Sequence, residues 1–412
     1  MNEAEASEPP ETHLSSFEDA RQVMKHRELR QGLYEEGRAL MEPVIVNLHG
    51  PEHLARRRLE NRLFRRDTFL YYEREVIPAA VEEVLSSFDP SPGVDLLALA
   101  RRTMMILSIA IAGVDRQGGI EEFEQFYSLM GRLALGSTLV HATIDRDAAR
   151  ADGLAALAQF EEEFFTASLQ RRRGLLAAFG RGELTEDALP RDVLTTLLRN
   201  QDELDLPYDV ILREVAYFPW VGSFSTSDAF VHAMDHLFEW LARRPEDRAT
   251  LSGDPLLLQR FVHESLRLHP ASPENRRRAL ATVRLASGVE IPEAGLVIVD
   301  LRAANRDPAV FGEDAEAFNP YRRLPEDVAP WGLTFGHGFH ACLGQELAGG
   351  LAGQGASEGR AHLFGAISTM ARILLERGVE VDPDVPPTID EANTRRHFSS
   401  YPVLLGAPVV RH

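Results

Sequence analysis

A chain with a single cysteine has no internal disulfide, and here that cysteine lies in the most constrained stretch of the sequence. Phe335–Gly344 reads Phe-Gly-His-Gly-Phe-His-Ala-Cys-Leu-Gly, and Cys342 is the only cysteine among 412 residues. Gly336 and Gly338 permit positive φ and a backbone lying close against a flat partner. The run after the cysteine, Leu-Gly-Gln-Glu-Leu-Ala, has the apolar spacing of a helix start, which aims partial positive charge at the sulfur. Such an N-terminus, with free backbone N–H groups, lowers a thiol's pKa. One alternative is a buried structural cysteine beside a glycine turn, the commoner fate of a lone cysteine. Another is a cysteine-nucleophile hydrolase with His337 or His340 as base. Base and nucleophile so close in one tight loop rarely orient each other, and that reading leaves the other motifs below unexplained.

Composition narrows the classes further. The net charge of −19 argues against a nucleic-acid partner. The first ten residues, Met-Asn-Glu-Ala-Glu-Ala-Ser-Glu-Pro-Pro, are acidic and apolar-poor, unlike a signal peptide or an anchor. The longest apolar run, Met104–Val114, is too short to span a bilayer and reads as a buried core helix. These features predict a cytoplasmic protein with no membrane partner, and the lone cysteine fits a reducing compartment. Residues 1–15 are polar and predicted to be frayed. Residues 16–412 show no repeat or linker and are expected to form one domain.

Apolar periodicity predicts helices over Phe17–Arg30, Val76–Ser87, Val94–Val114, Ile120–Gly136, Ala149–Phe179 and Pro190–Asn200. Another begins in Val44–Phe64, after the Gly50-Pro51 turn. The longest, Pro207–Arg244, contains Pro219, which removes one hydrogen bond and should kink it. Arg277–Leu285, Gly288–Pro292 and Leu296–Leu301 alternate like strands of a small sheet. A helix over Leu343–Glu376 is interrupted by Gly349, Gly350, Gly353 and Gly355, which should bulge or break it.

The cysteine stretch resembles the haem-binding loop of the cytochrome P450 family, F-G-x-G-x-H-x-C-x-G, with all six fixed places filled by Phe335, Gly336, Gly338, His340, Cys342 and Gly344. Four further segments carry the resemblance. Gly50-Pro-Glu-His53-Leu-Ala-Arg-Arg57 is similar to the family's G-P-x-H-x-x-x-R. Alone it reads as a turn and a solvated arginine face; beside the cysteine loop, His53 and Arg57 are expected on one helical face, reaching a haem propionate. Glu264-Ser-Leu-Arg267 resembles the family's E-x-x-R, and the resemblance implies that Arg322 of Phe318-Asn-Pro-Tyr-Arg322 is the third member of a buried Glu–Arg–Arg network bracing the loop. The stretch Ala303–Gly312 matches the irregular segment before it.

The resemblance implies a mainly α, single-domain P450-like fold with a small β-rich lobe, covering Phe17 to Leu405. The haem segment arrives early, so the N-terminal β-lobe is expected to be reduced. Cys342 is the implied ligand of the iron of haem b (iron protoporphyrin IX), and His53, Arg57, Arg277 and His340 the implied propionate contacts. The implied activity is a monooxygenase reaction on a small organic substrate, with a secondary-metabolic role. No flavin or iron–sulfur motif is present, so an external ferredoxin and ferredoxin reductase are the implied electron donors. In the long helix the family's small-Gly-x-acid-Thr motif is broken. One register places Phe224 and Ser225 at the acid and alcohol positions, with Thr226 next to them; the other, preferred here, places Asp228 and Ala229 there. The alternative for these hydroxyls is a bond to the helix's own carbonyls. Peroxide-driven peroxygenation, oxidative coupling and ring formation are same-fold alternatives, although Arg213 lies too early in the helix for a peroxygenase arginine. Segments expected to line the substrate pocket, Gln31–Val44, Gly136–Ala149 and Val283–Ser287, carry no signature of a substrate.

Overall fold

The protein is described by a computed structural model that covers residues 10–88, 93–353, 361–391 and 393–406. Its centre is one helix, Tyr208–Arg243, which runs through Pro219 for 36 residues. Twenty-two of its side chains are buried, so most of its faces meet protein rather than water. It packs chiefly on Leu96–Ala112. Gly222 marks the closest approach, since a Cβ there would sit 2.9 Å from the Ser108 hydroxyl. Leu96–Ala112 begins where the Asp95 carboxylate accepts the Ala98 N–H and ends at Gly113, whose φ of 85° closes the last turn. Ile120–Ser137, Arg146–Gly180 (with one π-helical turn at Glu161–Phe165) and Pro255–Leu268 complete the main helical layer.

A four-stranded sheet stands to one side, in the order Glu11–Leu14, Leu296–Asp300, Glu274–Ala279, Leu29–Gln31, with only the first pair parallel. Its inner face and the helix Phe17–Lys25 enclose a second, smaller apolar cluster that includes Leu14, Phe17, Val23, Val297, Val299 and Leu333. Two expectations are corrected here. Glu11–Leu14 is not frayed, because its backbone groups pair with Leu296–Val299; residues 1–9 lie outside the described set. The helix starting at Phe17 stops at Lys25, and Leu29–Gln31 becomes a strand paired to Arg277–Ala279. A single strand therefore precedes Phe17 among the described residues, consistent with a reduced β-lobe.

At the C-terminal end, Phe398–Ser400 pairs with Thr388–Ile389, whereas Pro402–Leu404 pairs with Gly93–Asp95 and Glu380–Val381. The two last strands therefore belong to different sheets. The expected long helix after the cysteine also divides. Gln345–Gly349 ends at Gly350, whose φ of +76° turns the chain away, and the helix resumes only at Ala366–Glu376. A side chain at Gly350 would meet Gln259 Nε2 at 2.1 Å. Gln259 itself donates to Gly349, Leu363 and Phe364 carbonyls and pins both ends of the excursion. Gly355 lies outside the described residues.

Candidate active site

Below the long helix, Cys342 Sγ opens onto a cavity of roughly 310 Å³. The loop is closed by the Cys342 N–H donating to the Phe335 carbonyl at 2.8 Å. Gly336 and Gly338 both take φ of +70°, but for different reasons. Gly336 lines the cavity. Gly338 faces away, and a Cβ there would meet the Met24 carbonyl at 2.9 Å, so its smallness lets the loop dock on the helix Phe17–Lys25. Gly344 lies beneath the sulfur, with a hypothetical Cβ 4.0 Å from Sγ.

Burial pushes the Cys342 thiol up from its ordinary pKa, against the Gly344 N–H and the nearby Arg57 charge, which pull it down. The expected lowering by the loop alone is therefore not what this environment gives; the helix that follows is only five residues long. A coordinated metal ion is what deprotonates such a thiol outright.

His53, Arg57 and His340 line the same cavity. The His53 and His340 rings stack at 4.1 Å between centroids. Burial and the Arg57 charge hold His53 at a pKa of about 4, so both guanidiniums stand beside neutral imidazoles. Arg57 donates to the Ala341 carbonyl at 2.5 Å. Arg277 is buried and donates to Gln31 Oε1 at 2.8 Å; burial brings its pKa down to about 10. Neither arginine has a carboxylate partner among the described residues. Two uncompensated cations beside a thiol that faces a shared cavity suit a planar, dianionic metal cofactor. Arg277 is not itself on the cavity wall, where Gln31 stands in front of it.

The brace beneath the loop is complete. Arg267, fully buried, grips Glu264 through Nε (2.8 Å) and NH2 (2.7 Å). Arg322 reaches the same Glu264 Oε1 at 3.2 Å. Arg267 also donates to the Asn305 and Ala315 carbonyls at 2.6 and 2.8 Å. Asn305, which sequence reasoning did not single out, carries this brace into the loop: its Oδ1 accepts the Leu333 N–H at 2.7 Å, and its Nδ2 donates to Thr334 Oγ1 at 3.0 Å. Phe335, next in sequence, packs edge-on against Trp331.

Above the sulfur, Val221, Gly222, Ser225, Thr226 and Ala229 form the helix face toward the cavity. Asp228 is buried off that face, 3.2 Å from Arg101 and 3.8 Å from His397. Arg101 also lies over the Phe224 ring at 5.5 Å, so residues 224 and 228 share one cation a turn apart. The hydroxyls of Ser223, Ser225 and Ser227 donate to the carbonyls of Pro219, Val221 and Ser223, at 2.6 to 2.7 Å, as helix back-bonding predicts. Thr226 lines the cavity.

Gln31, Leu33 and Tyr34 of the expected pocket segments do line the cavity, but nothing from Gly136–Ala149 or Val283–Ser287 does; Ala271, Ser272 and Asn275 take that place. Val283–Arg284 is instead paired with Glu290–Ile291 in a separate two-stranded ribbon. Arg56 is likewise not a surface residue. It is buried against Glu214 at 2.8 Å, beside Glu60, whose two carboxylate oxygens have no hydrogen-bond partner among the described residues. Burial, together with Glu214, pushes the Glu60 carboxyl well above its ordinary pKa.

A lone thiol in a braced glycine loop, an arginine pair without counter-ions and a long helix across the cavity are the features that a haem-thiolate site would use. The sequence pattern of the family described as Cytochrome P450 matches residues 247–349. Pulcherriminic acid synthase of Bacillus subtilis is 24% identical over 352 residues, covering 81% of this chain and 78% of that protein. The 6-deoxyerythronolide B hydroxylase of Saccharopolyspora erythraea is 33% identical, covering 38% and 37%. The match to a probable cytochrome P450 313a5 of Drosophila melanogaster spans 34% of that protein's length, and the match to its 313a1 counterpart 19%. P450BioI, solved with a hexadec-9Z-enoic acid-ligated acyl carrier protein, superposes with a TM-score of 0.72 at 20% identity, covering 95% of this chain and 92% of that one. CxnD, an enzyme for C–S bond formation in chuangxinmycin biosynthesis, gives 0.72 at 19%, covering 97% and 89%. In sequence over residues 247–349, and in fold over nearly its whole length, the chain is similar to the cytochrome P450 family. Among the described residues no helix is long and apolar enough to cross a membrane.

Proposed function

We propose that this chain is a haem-thiolate monooxygenase of the cytoplasm. It places one oxygen atom from dioxygen into a small organic substrate, with haem b held by Cys342. The observation that carries this reading is that Cys342 and the uncompensated Arg57 line one cavity beneath the long helix, with the uncompensated Arg277 held behind the wall residue Gln31. His53, Arg57, Arg277 and His340 would hold the two propionates. When bound, the cofactor supplies oxygen–oxygen cleavage, which thiolate ligation favours.

The chain's own residues supply the rest. Apolar side chains such as Leu33, Ile45, Leu107 and Phe218 exclude water from the cavity. Asp228 is the ionisable member of the two candidate pairs, since Phe224 has no proton to give; Arg101 fixes its carboxylate. Ala229 beside it carries no hydroxyl, so Thr226, or a hydroxyl on the substrate, would position the proton-bearing water. That substitution also supports a second reading, oxidative coupling or ring formation on the same scaffold, in line with relatives named for synthase and C–S bond-forming activities. Arg213 is tied to Asp209 at 3.0 Å on the outer surface of the helix, which speaks against a peroxygenase arginine.

Electrons would come from an acidic ferredoxin, served by its reductase. Arg58, Arg62 and Arg65 are exposed, and Leu54 (49% exposed) and Phe339 (39% exposed) supply an apolar centre next to Arg27. A basic, partly apolar patch on a chain of charge −19 suits steering of an acidic partner. Arg56, Arg57 and Arg66, expected in that patch from sequence, are engaged elsewhere, with Glu214, the Ala341 carbonyl and the Ala361 carbonyl.

The test is product formed per electron consumed. Asp228→Asn should cut coupling and slow oxygen activation by roughly tenfold or more, while Ala229→Thr leaves coupling unchanged or improves it. Damage from Ser225→Ala with Asp228→Asn silent would move the proton relay to Phe224 and Ser225. Indifference of all three variants would overturn the proposed relay.

A further inference from the structure

Arg395 sits in the turn between Thr388–Ile389 and Phe398–Ser400, and its surroundings hold that turn against the cavity wall. The Thr394 N–H donates to the His141 carbonyl at 3.2 Å, and Asn393 bridges to Ala142. His397 Nε2 donates to the carbonyl of Ala271, a wall residue, at 3.0 Å. Arg302, next to the wall residue Leu301, donates to the Arg395 carbonyl.

The guanidinium so placed has no counter-ion. Among the described residues no carboxylate pairs with it, and its Nε is buried with no hydrogen-bond partner. Its electrostatic neighbours are Tyr34, Asp228 and Glu274. Asp228 is already committed to Arg101 and Glu274 to Arg276, at 3.2 and 2.6 Å. Tyr34 lines the cavity. So does Asn275, whose side-chain carbonyl oxygen is buried and unpartnered, leaving the amide able to turn its N–H groups to an acceptor. Enclosing an unpaired guanidinium is costly, and proteins retain one where an anion completes it.

We propose that Arg395, with Tyr34 and Asn275, recognises a carboxylate on the substrate, so that this enzyme acts on an organic acid whose apolar body fills the cavity. The inference rests on the monooxygenase reading. Arg395 is not itself on the cavity wall, where Tyr34 and Asn275 stand; a planar guanidinium with two neutral donors matches the two oxygens of a carboxylate, whereas a phosphate ester would leave further acceptors unmatched.

The experiment uses haem-loaded protein whose reduced carbon monoxide spectrum is intact, so that failure of acid binding is separable from failure of the haem-thiolate assignment. Spin-state titrations would compare straight-chain alkanoates and 4-phenylbutanoate with their amides. Wild-type protein should bind at least one acid about tenfold or more tighter than its amide, and Arg395→Met should erase that preference. Arg396→Met, on the exposed neighbour, should preserve it. Ligand-free Arg395→Met should also melt at or above the wild-type temperature, because it removes a half-buried cation without a counter-ion. Amides binding as well as acids across the panel would overturn the proposal. So would a lower melting temperature for ligand-free Arg395→Met, the mark of a merely structural arginine.

Discussion

Arg267→Leu should leave almost no haem-loaded protein to purify. The substitution strips Glu264 of its bidentate partner and deprives the Asn305 and Ala315 carbonyls of donors in a site with no solvent access. Removing one member of a buried charge network costs about 3–5 kcal/mol, a large part of the 5–15 kcal/mol or so that separates folded from unfolded chains. Arg267→Lys should not rescue it, since an ammonium cannot span both Glu264 oxygens. Soluble yield and thermal melting check this, with a fall of about 5 °C or more expected. Melting within a degree or so of wild type would mean that the network does not brace the loop.

The second large effect concerns cofactor retention. Arg57→Leu and Arg277→Leu should each speed haem loss by roughly tenfold to a hundredfold, the scale of one lost charge-assisted hydrogen bond. Transfer of haem to excess apomyoglobin measures the rate. Arg58→Leu is the proper control, because Arg58 is exposed. Arg56 is not, because its pairing with Glu214 makes its loss a folding defect. Equal haem loss in Arg57, Arg277 and Arg58 variants would reduce the assignment to a general charge effect.

What the sequence disclosed depended on separation along the chain. His53 and Arg57, four apart, and Glu264 and Arg267, three apart, share faces by helical geometry alone, and the glycine loop declares its own turn. The end of the first half of the broken helix was marked by Gly349 and Gly350, but its restart after Gly365 was not. Partnerships across long separations left no such trace. Arg56 and Glu214 are 158 residues apart, and Glu11–Leu14 pairs with a strand that starts at Leu296. No periodicity encodes which arginine of Arg56-Arg57-Arg58 turns inward; that is decided by Glu214 arriving from the long helix. Asn305, Arg101 and Arg395 were passed over for the same reason, since each acts on a residue brought near only by the fold. The glycines show a subtler gap: Gly336 and Gly338 looked alike in sequence, yet one faces the cavity and the other the helix at Met24.

The most direct test of the central claim is the spectrum of the reduced, haem-loaded protein with carbon monoxide. Cys342 is the only cysteine and opens onto the cavity, so thiolate ligation predicts a strongly red-shifted Soret band that Cys342→Ser abolishes. If a freshly purified, haem-replete sample shows only the band of a histidine-ligated haem, Cys342 is not the ligand and the account built on it fails.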